Sequence, residues 1–349
     1  MKAKQIKEYK ISGKTKPTLK KLEDQVIVIT GATSGIGLAT ARIAAARGAK
    51  VAVAGRTEES LKELVQELTS KGQEAMYVQA DVGKQEDVKK ITESVFLAYG
   101  RFDTWVNNAG VTIFGEAMDV PIEDMKRLFD TDFWGVVYGS KEAVAHYKER
   151  ERAGALINIG SLFGGTGATL QSIYSPAKFA VHSWTENIRN ELAAANAPVS
   201  VTLVHPGRID TPYNAHAGNY MDKQPAHVGM MYAPETVAEA ILYAAEHPKR
   251  DIFVGGQAKA LELIGNLMPR FYDKMAQSLL SRTQHLDREP DVRGANTLRE
   301  PGGELKETGD HAGMVRSTSL YLKASTSPFL MIGAGIGIGA IAAGTLLKK

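Results

Sequence analysis

The sequence of 349 residues contains no cysteine. That absence excludes disulfides, iron–sulfur clusters, Cys-ligated zinc and thiol nucleophiles, but says nothing about the compartment. Net charge is also small, 42 Lys and Arg against 39 Asp and Glu leaving +3. The average conceals an uneven spread. Residues 1–24 hold eight lysines against Glu8, Glu23 and Asp24, a local excess of +5, so the remainder stands at −2. A basic arm differs from a basic protein, and no nucleic-acid partner is expected. The arm reads as a solvated tail or as a segment drawn to anionic lipid headgroups. It lacks the apolar stretch of a secretory signal, because the first apolar run, 26–29, is short and leads into a motif. The 34 glycines follow no three-residue period, which excludes collagen, and 44% hydrophobic residues exclude a mostly disordered chain.

From residue 25 to about 256, short β-branched runs alternate with longer helical patterns. Strands are expected at 26–30, 51–55, 75–79, 104–107, 156–159, 199–205 and 252–254. Helices are expected over such segments as 37–47, 57–70 and 85–99. Several strands are apolar almost throughout, as in a parallel sheet covered on both faces. The pattern predicts an α/β fold with a doubly wound, parallel, seven-stranded sheet.

Beyond residue 281 the texture changes. Residues 282–323 are rich in charge, Gly and Pro without periodicity, and read as a linker or a surface-hugging extension. Residues 324–347 carry no charge, and Lys348 and Lys349 end the sequence. As a helix, 329–347 would span ~28 Å at ~1.5 Å per residue, near the thickness of a hydrocarbon core. Its Gly333/Gly337 and Gly335/Gly339 pairs would allow close helix approach in lipid. The expected division is a basic arm (1–22), an α/β domain (23–281), a polar extension (282–323) and a single hydrophobic helix (324–349). That helix would anchor the chain in membrane lipid, with the large domain on the cytoplasmic side.

The strongest local signal is Thr30-Gly-Ala-Thr-Ser-Gly-Ile-Gly37, directly after a strand and opening a helix. Glycines permit a sharp turn and close approach of a pyrophosphate, and a helix N-terminus offers N–H groups and positive dipole. The second strand ends at Gly55-Arg56-Thr57, with no acidic residue before Glu58. A basic residue here suits a 2′-phosphate, so Arg56 favours NADP over NAD. Tyr174 and Lys178 stand four apart, on one face of a helix whose first turn can hold Pro176. An ammonium and an oxidised nicotinamide both favour phenolate, and so bring a Tyr towards a useful pKa. Ser161 follows an apolar strand, where open α/β sheets bind ligands, and can donate to a substrate oxygen. It lies outside a Gly-x-Ser-x-Gly elbow and is not read as a nucleophile.

With these residues in their order, the chain resembles the short-chain dehydrogenase/reductase family, in the branch with domains of roughly 250 residues. The resemblance rests on the Gly-rich segment, Ala80-Asp-Val82, Asn107-Asn-Ala-Gly110, Ser161, Tyr174-Ser-Pro-Ala-Lys178 and Pro206-Gly-Arg-Ile-Asp-Thr211, and covers about 23–256. It implies a Rossmann-type fold and a cofactor held by Gly31, Thr33, Ser34, Gly35, Ile36 and Gly37. It also implies that Asp81 and Val82 contact the adenine, and that Asn108, Ala109 and Gly110 line the adenosine half. Tyr174 would be the general acid/base, Ser161 would orient the carbonyl, and Lys178 would bind the nicotinamide ribose and assist Tyr174. Pro206, Ile209 and Thr211 would flank the nicotinamide. A homodimer or homotetramer is implied, and no metal.

One departure stands out. Phe129-Asp-Thr-Asp-Phe-Trp-Gly135 carries Asp132 where the family usually has an Asn that supports a water-linked proton relay. If only the backbone carbonyl is needed, little changes. If the carboxylate is ionised near Lys178, it raises that lysine's pKa and weakens its help to Tyr174. Substrate choice is expected from 162–172 and from 212–233, an aperiodic stretch that suggests a mobile loop. Within it, His216 and His227 are expected at the surface, and Met230 and Met231, with Leu162 and Phe163, suggest a hydrophobic pocket. The expected activity is NADP(H)-dependent interconversion of a secondary alcohol and a ketone or aldehyde on a small lipophilic molecule. The alternatives are a reductase of a sugar or carrier-bound acyl substrate, and a non-catalytic NADP-binding sensor or scaffold at the membrane.

Overall fold

In the computed structural model, seven strands form one parallel sheet: β1 (Val26–Thr30), β2 (Lys50–Gly55), β3 (Ala75–Gln79), β4 (Thr104–Asn107), β5 (Gly154–Ile159), β6 (Val199–Pro206) and β7 (Asp251–Val254). The structure describes residues 17–326 apart from 292, 295 and 304. The spatial order is β7-β6-β5-β4-β1-β2-β3. Order therefore reverses between β1 and β4, which pair side by side through Ile27 and Thr104. The carboxyl ends of the strands open there into a crevice, the place where open α/β sheets hold ligands. Each strand begins and ends within two residues of its expected position.

Period-two alternation sends β1 side chains to opposite faces. Ile27 and Ile29 pack with Leu38, Ala41, Val237 and Ile241, from α1 (Gly35–Ala46) and α7 (Pro234–Glu246). Val26 and Val28 pack with Val95, Tyr147 and Ile188, from α3 (Gln85–Tyr99), α5 (Gly135–Glu149) and α6 (Tyr174–Ala194). Each Val, Leu or Ile side chain among them contributes about 1.5–3 kcal/mol by leaving water. The remaining helices beside the sheet are α2 (Glu58–Ser70) and α4 (Ile122–Phe129). α3 stops at Gly100, whose left-handed φ of 71° lets its N–H close on Phe96 O. Pro176 is the third residue of α6, where its missing N–H costs no helical bond.

After β7, α8 (Gly256–Leu267) and α9 (Pro269–Met275) form a small apolar cluster with Leu162, Phe163 and Phe253. The extension beyond residue 281 hugs the domain surface. Within it, α10 (Asn296–Arg299) buries Leu298, Val315–Arg316 pairs with Met231–Tyr232, and α11 (Leu320–Thr326) buries Leu322. Near the start of the described chain, Lys20 Nζ sits 2.8 Å from the buried Asp103 carboxylate. Among the described residues no helix is long and apolar enough to cross a membrane. The uncharged span 329–347 and residues 1–16 of the arm lie outside the described residues.

Candidate active site

The turn after β1 reverses the chain in four residues and aims α1 at the crevice. Gly31 has a left-handed φ of 65°, and a Cβ there would meet Ala109 Cα at 2.7 Å. At Gly37 a Cβ would fall 2.1 Å from Gly31 O, so only glycine lets helix and turn close on each other. Asn108 lashes the end of β4 to this turn, donating from Nδ2 to Thr30 O (2.9 Å) and Gly31 O (3.1 Å). The Asn108 and Ala109 N–H groups both donate to Thr30 Oγ1, at 3.1 Å. The helix N-terminus thus held offers an anion its N–H groups and positive dipole.

Asp81 accepts the Gly83 N–H at 3.0 Å and the Arg127 guanidinium at 2.7 Å. Burial, with repulsion from Arg127, pulls Arg56 below the usual arginine pKa, although Asp81 opposes the shift. Arg56, Asp81 and Val82 all face the cleft, with Gly31, Thr33, Ser34, Gly35 and Ile36. Asn108, Ala109 and Gly110 face it from β4, and Pro206, Ile209 and Thr211 from the end of β6. Gly37 does not line it; its absent side chain is what brings the helix in.

Ser161, Tyr174 and Lys178 converge on the same cleft, all buried. The Ser161 hydroxyl accepts the Phe163 N–H at 3.1 Å, which leaves its own proton to be donated. Lys178 Nζ lies 3.3 Å from Ile159 O, 3.3 Å from Asp132 Oδ2 and 5.7 Å from the Tyr174 ring centre. Asp132 is completely buried on a wide helical turn, Asp130–Trp134, and its Oδ1 accepts the Val111 N–H at 2.7 Å. Burial alone would lower the Lys178 pKa, but the Asp132 carboxylate and Tyr174 outweigh it, and Lys178 sits above its ordinary value. Burial pushes Asp132 up in turn, against the pull of Lys178 and the Val111 N–H. The Asp in the Asn place is thus the direct partner of the lysine. It does not face the cleft.

The segment 212–233, expected as a mobile loop, carries short pairings along its length. Three two-residue strands pin it: Gly218–Asn219 on Ile113–Phe114, Gln224–Pro225 on His285–Leu286, and Met231–Tyr232 on Val315–Arg316. Its partners are distant in sequence, so no local periodicity announces them. His216 and His227, expected at the surface, are half-buried and line the cleft. Burial, then Arg208 and His311, pull His227 down to about 3, so its imidazole is neutral at pH 7. Met230 and Met231 do not line the cleft and fill the core by β1 and the extension instead.

Two features went unforeseen. Tyr213 lies against Tyr174, ring centres 6.1 Å apart, and donates to Val111 O at 2.8 Å. Only its place two residues after Thr211 hinted at the site. Pro301 and Gly302 of the extension also line the cleft, and no motif marks them. Elsewhere His182, His205 and Asp251 have ligand atoms within 4.8 Å of one another. Asp251 is already ion-paired with Arg250 at 2.6 Å, so the trio reads as a charge network.

A family model described as short chain dehydrogenase matches residues 25–221. The chain belongs to the short-chain dehydrogenase family. The uncharacterized oxidoreductase YxnA of Bacillus subtilis is 56% identical over 97% of this chain and 96% of its own. The SadH protein of Mycobacterium tuberculosis is 33% identical over 72% of this chain and 94% of its own. Among solved structures, a Burkholderia phymatum short-chain dehydrogenase/reductase in complex with NAD shares the fold (TM-score 0.63, 22% identity, 77% of this chain and 99% of that one). A Brucella melitensis 3-ketoacyl-(acyl-carrier-protein) reductase complexed with NADH aligns with TM-score 0.59 at 25% identity, over 68% of this chain and all of that one. This short-chain dehydrogenase is accordingly an NAD(P)-dependent oxidoreductase. The close packing of turn and helix at Gly31, Gly35 and Gly37, which side chains would prevent, leaves an open cleft at the α1 N-terminus that fits a dinucleotide.

Proposed function

We propose that the chain interconverts a secondary alcohol and a ketone or aldehyde on a small lipophilic molecule, using NADP(H). One observation carries the reading: the Tyr174 phenol, the Lys178 ammonium and the Ser161 hydroxyl share one cleft with the Gly-rich helix N-terminus. When bound, the nicotinamide supplies or accepts the hydride. Ser161 donates to the substrate oxygen and orients it, and Tyr174 passes the proton to or from that oxygen. Lys178 holds the nicotinamide ribose and favours the phenolate, while Asp132 and Ile159 O fix its ammonium in place. Thr33, Ser34 and Ile36 hold the pyrophosphate, with Gly31, Gly35 and Gly37 allowing the approach. Asp81, Val82, Asn108, Ala109 and Gly110 hold the adenosine half, and Pro206, Ile209 and Thr211 the nicotinamide.

Two observations support the finer choices. Where β2 ends, the side chain facing the cleft is Arg56, and the next acidic residue along the chain, Glu58, is ion-paired with Lys62 at 2.9 Å and does not line the cleft. That arrangement suits a 2′-phosphate better than a bare ribose. On the substrate side Val111, Leu162, Phe163 and Tyr213 line the cleft beside a neutral His227, a wall that favours apolar substrates. The half-exposed Trp134 and Phe179 support a homo-oligomer built near α5 and α6.

NADPH oxidation screened over ketones, aldehydes, steroids, sugars and carrier-bound 3-ketoacyl chains tests the reading. Turnover of an apolar ketone is expected, and a strict preference for sugars or carrier-bound chains would replace the substrate class. Arg56→Ala is expected to lower kcat/KM with NADPH by about tenfold or more, the loss of one strong charged contact, while sparing NADH. Equal loss with both cofactors would remove the phosphate role.

A further inference from the structure

The extension lays part of itself along the adenosine end of the cleft. Gly35 N–H, at the start of α1, donates to Lys306 O at 2.9 Å. Thr57 Oγ1 donates to Gly302 O at 2.5 Å and Ser60 Oγ to Gly303 O at 2.8 Å. The Arg56 and Arg127 guanidiniums both donate to Leu298 O, each at 3.0 Å. Ion pairs fasten the two ends, Arg299 to Asp124 and Glu307 to Arg42, each at 2.6 Å. The Leu298 side chain is fully buried in the cluster that includes Ile113, Leu128 and Tyr174.

We propose that this segment is a cofactor-binding element: the backbone of residues 298–303 forms the outer wall of the adenosine pocket, holds Arg56 and Arg127 in position, and retains the bound dinucleotide. The proposal rests on reading the cleft as a dinucleotide site. Pro301 and Gly302 face the same open space as Gly31, Thr33 and Arg56, so this stretch walls the cleft and leaves it open, although Lys306 O takes the Gly35 N–H and Leu298 O one N–H of Arg56. A carbonyl shared by two guanidiniums fixes their directions before a ligand arrives, and that preorganisation lowers the ordering cost of binding. A wall tied down at both ends must loosen before an enclosed ligand departs, so its effect falls on the dissociation rate. Within 298–303 the acceptors facing the domain are backbone carbonyls, which explains why no side-chain motif marks the element.

The triple substitution Ser60→Ala, Arg299→Ala and Glu307→Gln loosens the wall at three anchors, none of which lines the cleft. In stopped-flow displacement of NADPH by excess NADP⁺, the variant is expected to release NADPH about tenfold faster, with association little changed. An unchanged release rate would overturn the proposal, and so would slower release or tighter binding, since the segment would then be competing with the cofactor. Hydrogen exchange on the full, unsubstituted chain gives an answer that does not depend on how the variant folds. Saturating NADPH is expected to slow exchange of the Gly302 and Gly303 amides; unchanged or faster exchange overturns the proposal. Both readouts need binding and no turnover, so they stand even if the carbonyl substrate is misassigned. A full chain that binds neither NADPH nor NADH overturns the dinucleotide reading itself, and this inference with it.

Discussion

Tyr174→Phe is expected to lower kcat for NADPH-dependent carbonyl reduction by about 10²–10⁴-fold, the usual worth of a positioned general acid or base. The substitution removes one oxygen and keeps the ring, which packs with Ile113, Val120, Ala177 and Leu298. Fold and cofactor affinity should therefore survive. NADPH binding followed by fluorescence, beside single-turnover rates, separates the two effects. A variant that turns over within a few-fold of the parent would show that the proton comes from elsewhere, and Tyr213 is the neighbour to suspect. Burial holds the Tyr213 phenol well above its ordinary pKa, and its proton is committed to Val111 O, which makes it a poor proton donor. Tyr213→Phe should therefore cost far less than Tyr174→Phe, and the comparison checks the assignment.

The second large effect concerns the buried Asp132–Lys178 pair. Asp132→Ala leaves an ammonium in the interior with its carboxylate gone, and truncating one partner of such a pair costs about 3–5 kcal/mol. It also orphans the Val111 N–H that Asp132 accepts at 2.7 Å. A marked fall in Tm is expected. Asp132→Asn keeps an acceptor for that N–H and removes only the negative charge. With the carboxylate gone, the larger of the two influences that raise Lys178 disappears, so the lysine pKa falls. While the lysine stays protonated, its positive field is no longer offset, and loss of a proton in the cleft beside it becomes easier. The acid limb of the pH–rate profile for alcohol oxidation should therefore move to lower pH, with activity otherwise kept. A loss beyond about tenfold, equivalent to ~1.4 kcal/mol of barrier, would show that the carboxylate has a function of its own. An unmoved acid limb would mean that the Asp132 charge is not felt where the proton is lost.

The fold was legible because its signals are local. A parallel strand buried on both faces must be an apolar run, and a turn that admits a phosphate must be glycine where φ is positive. Asp132 shows a middle case. Its oddity was visible in the sequence, and so was the direction in which it would shift Lys178. That its carboxylate lies 3.3 Å from Lys178 Nζ depends on how the wide turn at Asp130–Trp134 meets α6. His216, His227, Met230 and Met231 were misplaced for a related reason. The stretch 212–233 is ordered by two-residue pairings with residues 113–114, 285–286 and 315–316, too short to leave any period.

By itself the sequence determined the α/β sheet, the glycine turn and the Tyr174–Lys178 pair on one helical face, because each follows from spacing along a single element. Only the tertiary structure decided that Asp132 neutralises Lys178, that Tyr213 abuts Tyr174, and that the extension walls the cleft. Those contacts join residues tens to hundreds of positions apart, and several run through backbone carbonyls, which every residue type possesses and no sequence pattern can mark.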